Sequence, residues 1–211
     1  MSAFDAVLWD IDGTLADSEP VHALSFQLAA ADVGLHLPPD FHDAILGRSE
    51  AESHDWMCRS LGLSLSLADW TERRYARYFD HIERINFMPG AQAVWQAVDT
   101  LEVAQAVVSN SDRMIVNANL ARLGLNRPGQ ISISRNDVLN GKPHPEPYLR
   151  AAELLGVDPR RTAVVEDSET GMMAGLAAGM TVFMMLPTGA PVPIDARSFA
   201  DLAKAFAHVR A

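Results

Sequence analysis

Residues 6–15 read Ala-Val-Leu-Trp-Asp-Ile-Asp-Gly-Thr-Leu, an apolar run that delivers two carboxylates, Asp10 and Asp12, and then turns at Gly13. A short, unbroken apolar run closed by a turn reads as a strand covered on both faces. In an open parallel sheet the ligand crevice lies beyond the carboxyl ends of the strands, where these acids would stand. Two carboxylates one residue apart repel each other unless something positive joins them, and hard oxygen donors favour Mg²⁺. A calcium loop opening D-x-D fits poorly, because its sixth position would be Leu15 in place of Gly and its twelfth Val21 in place of Glu. A plain Asp-Gly turn after a buried strand is the bland alternative.

Outward from this stretch, the chain alternates short apolar runs with helical ones, the pattern of an α/β protein with a Rossmann-like parallel sheet. Further strands are expected at Val103–Ser109, Ile131–Ile133, Thr162–Glu166 and Thr181–Met185, with the first at Asp5–Trp9. Asp112 is placed to cap a helix that Gly124 stops; Pro147–Leu155 forms another, closed by Gly156, and Gly171–Ala178 a third. Residues 187–197 form a Pro-containing connection to a last helix over about Ser198–His208. Between Asp17 and Asn86 no strand is convincing. Helical stretches at Pro20–Val33, Asp40–Leu46, Glu50–Leu61 and Ala68–Arg84 are punctuated by Pro38-Pro39, Gly47 and Gly62. One crossover needs one helix, so the surplus is read as an inserted all-helical subdomain. The expected division is a core of 1–16 and 86–211 and an insertion of 17–85.

Three more segments carry chemistry at the same end of the expected sheet. At 107–112, VVSNSD brings Ser109 and Asn110 to a strand end, where a hydroxyl, an amide and the N–H groups of the coming helix can hold phosphate; simple N-capping by Ser111 or Asp112 is the alternative. At 139–149, LNGKPHPEPYL holds Lys142 in a stiff loop. The chain has fifteen arginines but only two lysines, Lys142 and Lys204. A compact point charge suits a single phosphate or carboxylate oxygen, where a planar fork is too wide. At 162–180, TAVVEDSETGMMAGLAAGM ends a strand in Glu166 and Asp167 before a helix of small residues; capping by Asp167 or Ser168 is the plain reading.

Composition narrows the partners. The 211 residues carry a net charge of −10, which argues against a protein that lives on nucleic acid. No stretch approaches the ~20 apolar residues that span a bilayer. A single cysteine, Cys58, excludes an internal disulfide framework. The N-terminal stretch has no basic region or apolar segment of a leader, so the cytoplasm is expected, with a monomer as the expected state.

Taken in order, DxDGTL, SNS, GKPxPxxY and VEDSxxGxxAGxAAGM resemble the four motifs of the haloacid dehalogenase superfamily, over residues 4–186. More narrowly, the chain resembles the phosphatase branch with a helical cap after the first motif, like phosphoglycolate phosphatases and β-phosphoglucomutases. Trp9 stands where Phe is usual. The resemblance implies Mg²⁺-dependent phosphoryl transfer to and from a small phosphorylated metabolite, a sugar phosphate or a similar ester. It implies Asp10 as nucleophile and Asp12 as acid and base. The ion would rest on Asp10, the main-chain carbonyl of Asp12 and Asp167, supported by Glu166. Ser109, Asn110 and Lys142 would hold the phosphoryl group.

In the insertion, Arg48 could reach a second anionic group or be a solvated arginine. His22, one turn after Ser18, lies where mutases of this family carry a histidine, or is a helix-surface residue. Three relatives in chemistry need answers. A 2-haloacid dehalogenase lacks the second acid that Asp12 supplies. A phosphonoacetaldehyde hydrolase needs an insertion lysine, and residues 17–86 contain none. A β-phosphoglucomutase-like mutase shares all four motifs; the missing insertion lysine weighs against it unless one of Arg73, Arg74, Arg77 and Arg84 substitutes. A non-catalytic module on the same fold is the reading from another class, and the intact acid and lysine set opposes it.

Overall fold

The computed structural model describes residues 4–45 and 48–207. Strand β1 (Ala6–Trp9) is buried along its whole length, as an unbroken apolar run at the centre of a sheet should be. Four helices follow before the next strand: α1 (Glu19–Ala31), α2 (Phe41–Ile45), α3 (Glu50–Leu61) and α4 (Leu67–Phe79). Then come α5 (Ala91–Thr100), β2 (Ala104–Val108), α6 (Arg113–Arg122), β3 (Ile131–Ile133), α7 (Glu146–Leu155) and β4 (Thr162–Glu166). The chain ends with α8 (Glu169–Ala177), β5 (Thr181–Met184), β6 (Arg197–Ser198) and α9 (Phe199–Ala207). The six strands form one parallel sheet in the order β3-β2-β1-β4-β5-β6, a Rossmann-like α/β core.

Each face of the sheet buries its own alternate side chains. Val7, Trp9, Val107, Val165 and Phe183 pack under α5, α6 and α9 through Trp95, Ile115, Leu120, Leu202 and Phe206. Leu8, Ala106, Val108, Val164 and Val182 pack under α7 and α8 through Tyr148, Ala151, Ala152 and Ala174. The helical insertion has an apolar cluster of its own, built from Phe26, Phe41, Ile45, Met57, Leu63 and Trp70. Tyr75 and Tyr78 of α4 join the cluster under the sheet instead, which ties the insertion to the core.

Several boundaries differ from expectation. Helix α5 escaped the sequence reading, although Ala91, Val94, Trp95 and Val98 recur on one buried face. The stretch expected as helix through Arg84 ends at Phe79, followed by a single 3₁₀ turn at Ile82–Arg84. Strand β6 falls where the sequence suggests a connection and a helix start. It is two residues, Arg197 and Ser198, paired with Phe183 and Met184, too short and polar to show a strand pattern. The expected helix ends at Leu46 and His208, and the Gly47 break, lie outside the described residues. No described helix is long and apolar enough to cross a membrane.

Candidate active site

Parallel register brings the motifs together. Trp9 pairs with Val107 on one side and Val165 on the other, so β1, β2 and β4 end level. Asp10, Ser109 and Glu166 therefore emerge at one edge, and the Asp10 N–H still donates to the Val165 carbonyl at 2.9 Å. The chain then turns at Gly13, with φ +79, and a Cβ there would stand 2.2 Å from Oδ2 of Asp167. Only glycine accepts both that backbone conformation and that approach.

Lys142 is the hub. Its Nζ donates to Oδ1 of Asp10 at 2.5 Å and to Oε1 of Glu166 at 2.6 Å, with all three side chains buried. The two carboxylates hold the lysine charged, raising its pKa despite the opposing effect of burial. Asn110 fixes the loop that delivers it: its Oδ1 accepts from the Lys142 N–H at 2.8 Å, and its Nδ2 donates to the Lys142 carbonyl at 3.0 Å. The Asn110 amide, expected on the phosphoryl group, thus clamps the lysine loop.

One oxygen from each of Asp10, Glu166 and Asp167 lies within 4.8 Å of the others, a set of hard donors that suits a divalent cation such as Mg²⁺. Glu166 has both oxygens engaged. Oε1 accepts from Lys142 and from the Tyr148 hydroxyl at 2.8 Å; Oε2 accepts from the Ser168 hydroxyl at 2.9 Å and the N–H groups of Asp167 and Ser168 at 3.2 Å. It braces the cluster, while Asp10 and Asp167 face the cavity. Thr14, unnoticed in the sequence, donates to Oδ1 of Asp167 at 3.1 Å. Burial pushes the Asp10 carboxyl well up; Lys142 opposes this, and the charges of Glu166, Asp167 and Asp12 add to it. Burial and the Glu166 charge push Asp167 up to about 7.

Asp12 sits in a nest of donors. Its Oδ1 accepts from the Ser18 hydroxyl at 2.6 Å and the Asn119 amide at 2.9 Å, and Oδ2 from Ser111 at 2.7 Å and Ser109 at 3.4 Å. His22 approaches Oδ1 through Nε2 at 3.3 Å. Burial alone would raise the Asp12 carboxyl; His22, Ser18 and Ser111 outweigh it and hold the group at about 2. His22 is no idle surface residue: its ring lies 4.6 Å from Tyr78, and its Nδ1 is 3.4 Å from Nη1 of Arg74. Arginine only donates, so Nδ1 accepts and Nε2 carries the hydrogen given to Asp12.

Asn119 and Ser111 went unnoticed as site residues. Asn119 is buried mid-helix, and nothing local marks it; its Oδ1 accepts from the Tyr78 hydroxyl at 2.8 Å. Asp112 precedes α6 but makes no side-chain cap. Its carboxylate accepts from the Tyr75 hydroxyl at 2.7 Å, a bond from core to insertion that outcompetes capping.

These groups open into a cavity of about 490 Å³ between the sheet edge and the insertion. Arg48 lines it and is exposed. Of the four arginines weighed for the insertion, only Arg74 lines the cavity. Arg73 and Arg77 pair with Asp32 at the surface, and Arg84 lies beside Glu83. The signal was spacing: Trp70, Arg74 and Tyr78 share the buried face of α4 at intervals of four.

Residues 7–185 match the family described as haloacid dehalogenase-like hydrolase. Among curated relatives, the phosphorylated carbohydrates phosphatase of Thermotoga maritima is 30% identical over 83% of this chain and 82% of its own length. Hexitol phosphatase A of Escherichia coli is 30% identical over 83% of this chain and 80% of its own. Among solved structures, that of CbbY from Rhodobacter sphaeroides with phosphate superposes with a TM-score of 0.85, covering 95% of this chain and 96% of that one at 21% identity. At that identity the last likeness speaks to the fold.

Proposed function

The chain belongs to the haloacid dehalogenase-like hydrolase family, and from that premise we propose that it is a Mg²⁺-dependent phosphatase acting through an aspartyl-phosphate on Asp10. Its substrate is a small phosphorylated metabolite, a sugar phosphate or similar phosphomonoester. The observation that carries this reading is the buried Asp10 carboxylate, bound to Lys142 beside an acidic cluster and facing the cavity. The names of relatives that act on phosphorylated carbohydrates and hexitol phosphates support the substrate class.

Asp10 attacks phosphorus in line, which divides one hard displacement into two easier ones. Lys142 and the Ser109 hydroxyl hold the equatorial oxygens where transition-state charge spreads, together with the main-chain N–H of Asn110. The leaving oxygen takes a proton from Asp12, which then takes one from the water that attacks the phosphoryl-aspartate and releases phosphate. As found, Asp12 is ionised, the state the second step needs, but the donors that hold it at about 2 weaken it as a base until some of them let go. For the first it must draw away from Ser18, His22 and Asn119 and gain a proton. Mg²⁺, held by Asp10, the Asp12 carbonyl and Asp167 with Glu166 behind them, would neutralise the acids and orient the phosphoryl group. Residues 17–85 act as the cap over this centre, on a core of 1–16 and 86–211.

Phosphate release from p-nitrophenyl phosphate and a panel of phosphorylated metabolites, with Mg²⁺ and after chelation, tests the reading. Activity is expected only with the cation, and full activity after exhaustive chelation would sink the metal assignment. Supplied with β-glucose 1-phosphate and a trace of the bisphosphate, the enzyme should release phosphate; glucose 6-phosphate forming faster would make it a mutase.

A further inference from the structure

We propose that Glu50 makes this site selective for phosphomonoesters of neutral polyhydroxy compounds, and against substrates carrying a second phosphate; this rests on the phosphatase reading above. Arg74 is the buried cation on the insertion side of the cavity, its side chain only 4% exposed. In that position an unpaired arginine would be a ready receptor for a second anionic group. It is not unpaired. Its Nε donates to Oε1 of Glu50 at 2.8 Å and its Nη2 to Oε2, a bidentate pair. Its remaining nitrogen, Nη1, donates to the Ser25 hydroxyl at 3.2 Å and meets His22.

The pair is firmly held. Glu50 opens α3, where the helix dipole favours a carboxylate, and the Ser49–Glu52 capping box fixes that end of the helix. The Arg74 guanidinium lies 4.4 Å from the Phe26 ring centroid and 4.7 Å from that of Tyr75. A second phosphate reaching Arg74 would have to displace Glu50 and then share a poorly hydrated space with it. Like charges at close range in such a space repel strongly. Arg48 also lines the cavity, but it is exposed, and a cation in water gains far less from a second phosphate than a buried arginine would. At Arg74 the distal part of a substrate therefore meets a neutral ion pair. Each carboxylate oxygen of Glu50 keeps a further lone-pair site, which a hydroxyl hydrogen can fill and a phosphate cannot.

Fructose 1-phosphate and fructose 1,6-bisphosphate share the 1-phosphate ester and differ by the second phosphate, and the change in their kcat/KM ratio between wild type and Glu50→Gln cancels their difference in ring form. The wild-type enzyme should favour the monophosphate by about tenfold or more, and Glu50→Gln should narrow the ratio about tenfold, chiefly through a lower KM for the bisphosphate. If the pair only braces α3 against α4, the variant will lose both activities in proportion and the ratio will stand, which overturns the proposal. So would a wild-type enzyme with no preference or the opposite one, a result that needs no variant to fold. Turnover of p-nitrophenyl phosphate without either fructose ester would also overturn it while leaving the phosphatase reading intact. No phosphate release from any of the three would remove that reading and this one together.

Discussion

The Nζ of Lys142 lies 2.5 Å from Oδ1 of Asp10, a buried contact that joins two residues 132 positions apart. The same Nζ reaches Glu166 on β4, so one lysine bridges carboxylates delivered by two neighbouring strands. Without it, like charges would crowd the sheet edge.

Removing that lysine should therefore cost stability as well as turnover. Lys142→Met leaves two buried carboxylates without their cation, a loss of about 3–5 kcal/mol at neutral pH. The deficit should shrink on acidification, because the abandoned Asp10 carboxyl, already pushed up by burial, takes up a proton. Thermal unfolding of wild type and variant at pH 8 and pH 5 checks this; an equal deficit at both would contradict it.

Metal binding and protons should compete at Asp167. With its carboxyl raised to about 7 in the metal-free protein, cation affinity should climb as pH rises through that value. The sign for stability runs the other way. A raised folded pKa means that the folded state holds the proton more tightly, so this contribution is present at low pH and is lost as pH passes upward through about 7. Mg²⁺ should consequently raise the melting temperature more at pH 8 than at pH 6. Asp167→Asn should weaken the ion and flatten that difference, as titration calorimetry and melting curves would reveal.

Gly171 is expected to tolerate nothing larger. A Cβ there would fall 1.7 Å from Oε1 of Glu166, so Gly171→Ala must push that carboxylate off Lys142 and Tyr148. The variant should lose ~2 kcal/mol or more of stability and bind Mg²⁺ less tightly, since the brace behind Asp167 moves. Unchanged metal affinity would show that Glu166 does not position the site.

On the proposed mechanism Asp12 serves both as acid and as base, so Asp12→Ala should slow both half-reactions, by about 10²–10⁴ overall. The loss should be smaller for p-nitrophenyl phosphate, whose leaving group needs no proton. A uniform loss in kcat/KM, which reads the phosphorylation step alone, would remove the acid role from Asp12.

Much of this centre was legible in the sequence because its residues follow apolar strands directly. AVLW before Asp10, AVV before Ser109 and AVVE before Asp167 mark both the sheet and its functional edge. What stayed hidden depends on packing between segments far apart in sequence. Asn119 acquires its role from Tyr78 and Asp12, and Asp112 turns to Tyr75 where local rules suggest a cap. The row Arg73-Arg74 gives equal charge to both positions. Only the α4 face shared with Trp70 and Tyr78 separates the cavity arginine from its surface neighbour. Helix α5 carries a periodic buried face but begins after Gly90, with no capping side chain, so no local start signal marks it.

The most direct test of the account is to locate the covalent phosphoryl group. Enzyme mixed with substrate and Mg²⁺, quenched in acid and reduced with borohydride, converts an aspartyl-phosphate to homoserine, which mass spectrometry places within a peptide. The account predicts homoserine at position 10, and none in Asp10→Asn, which should be inactive. An adduct on Ser109, or undiminished turnover by Asp10→Asn, would contradict it.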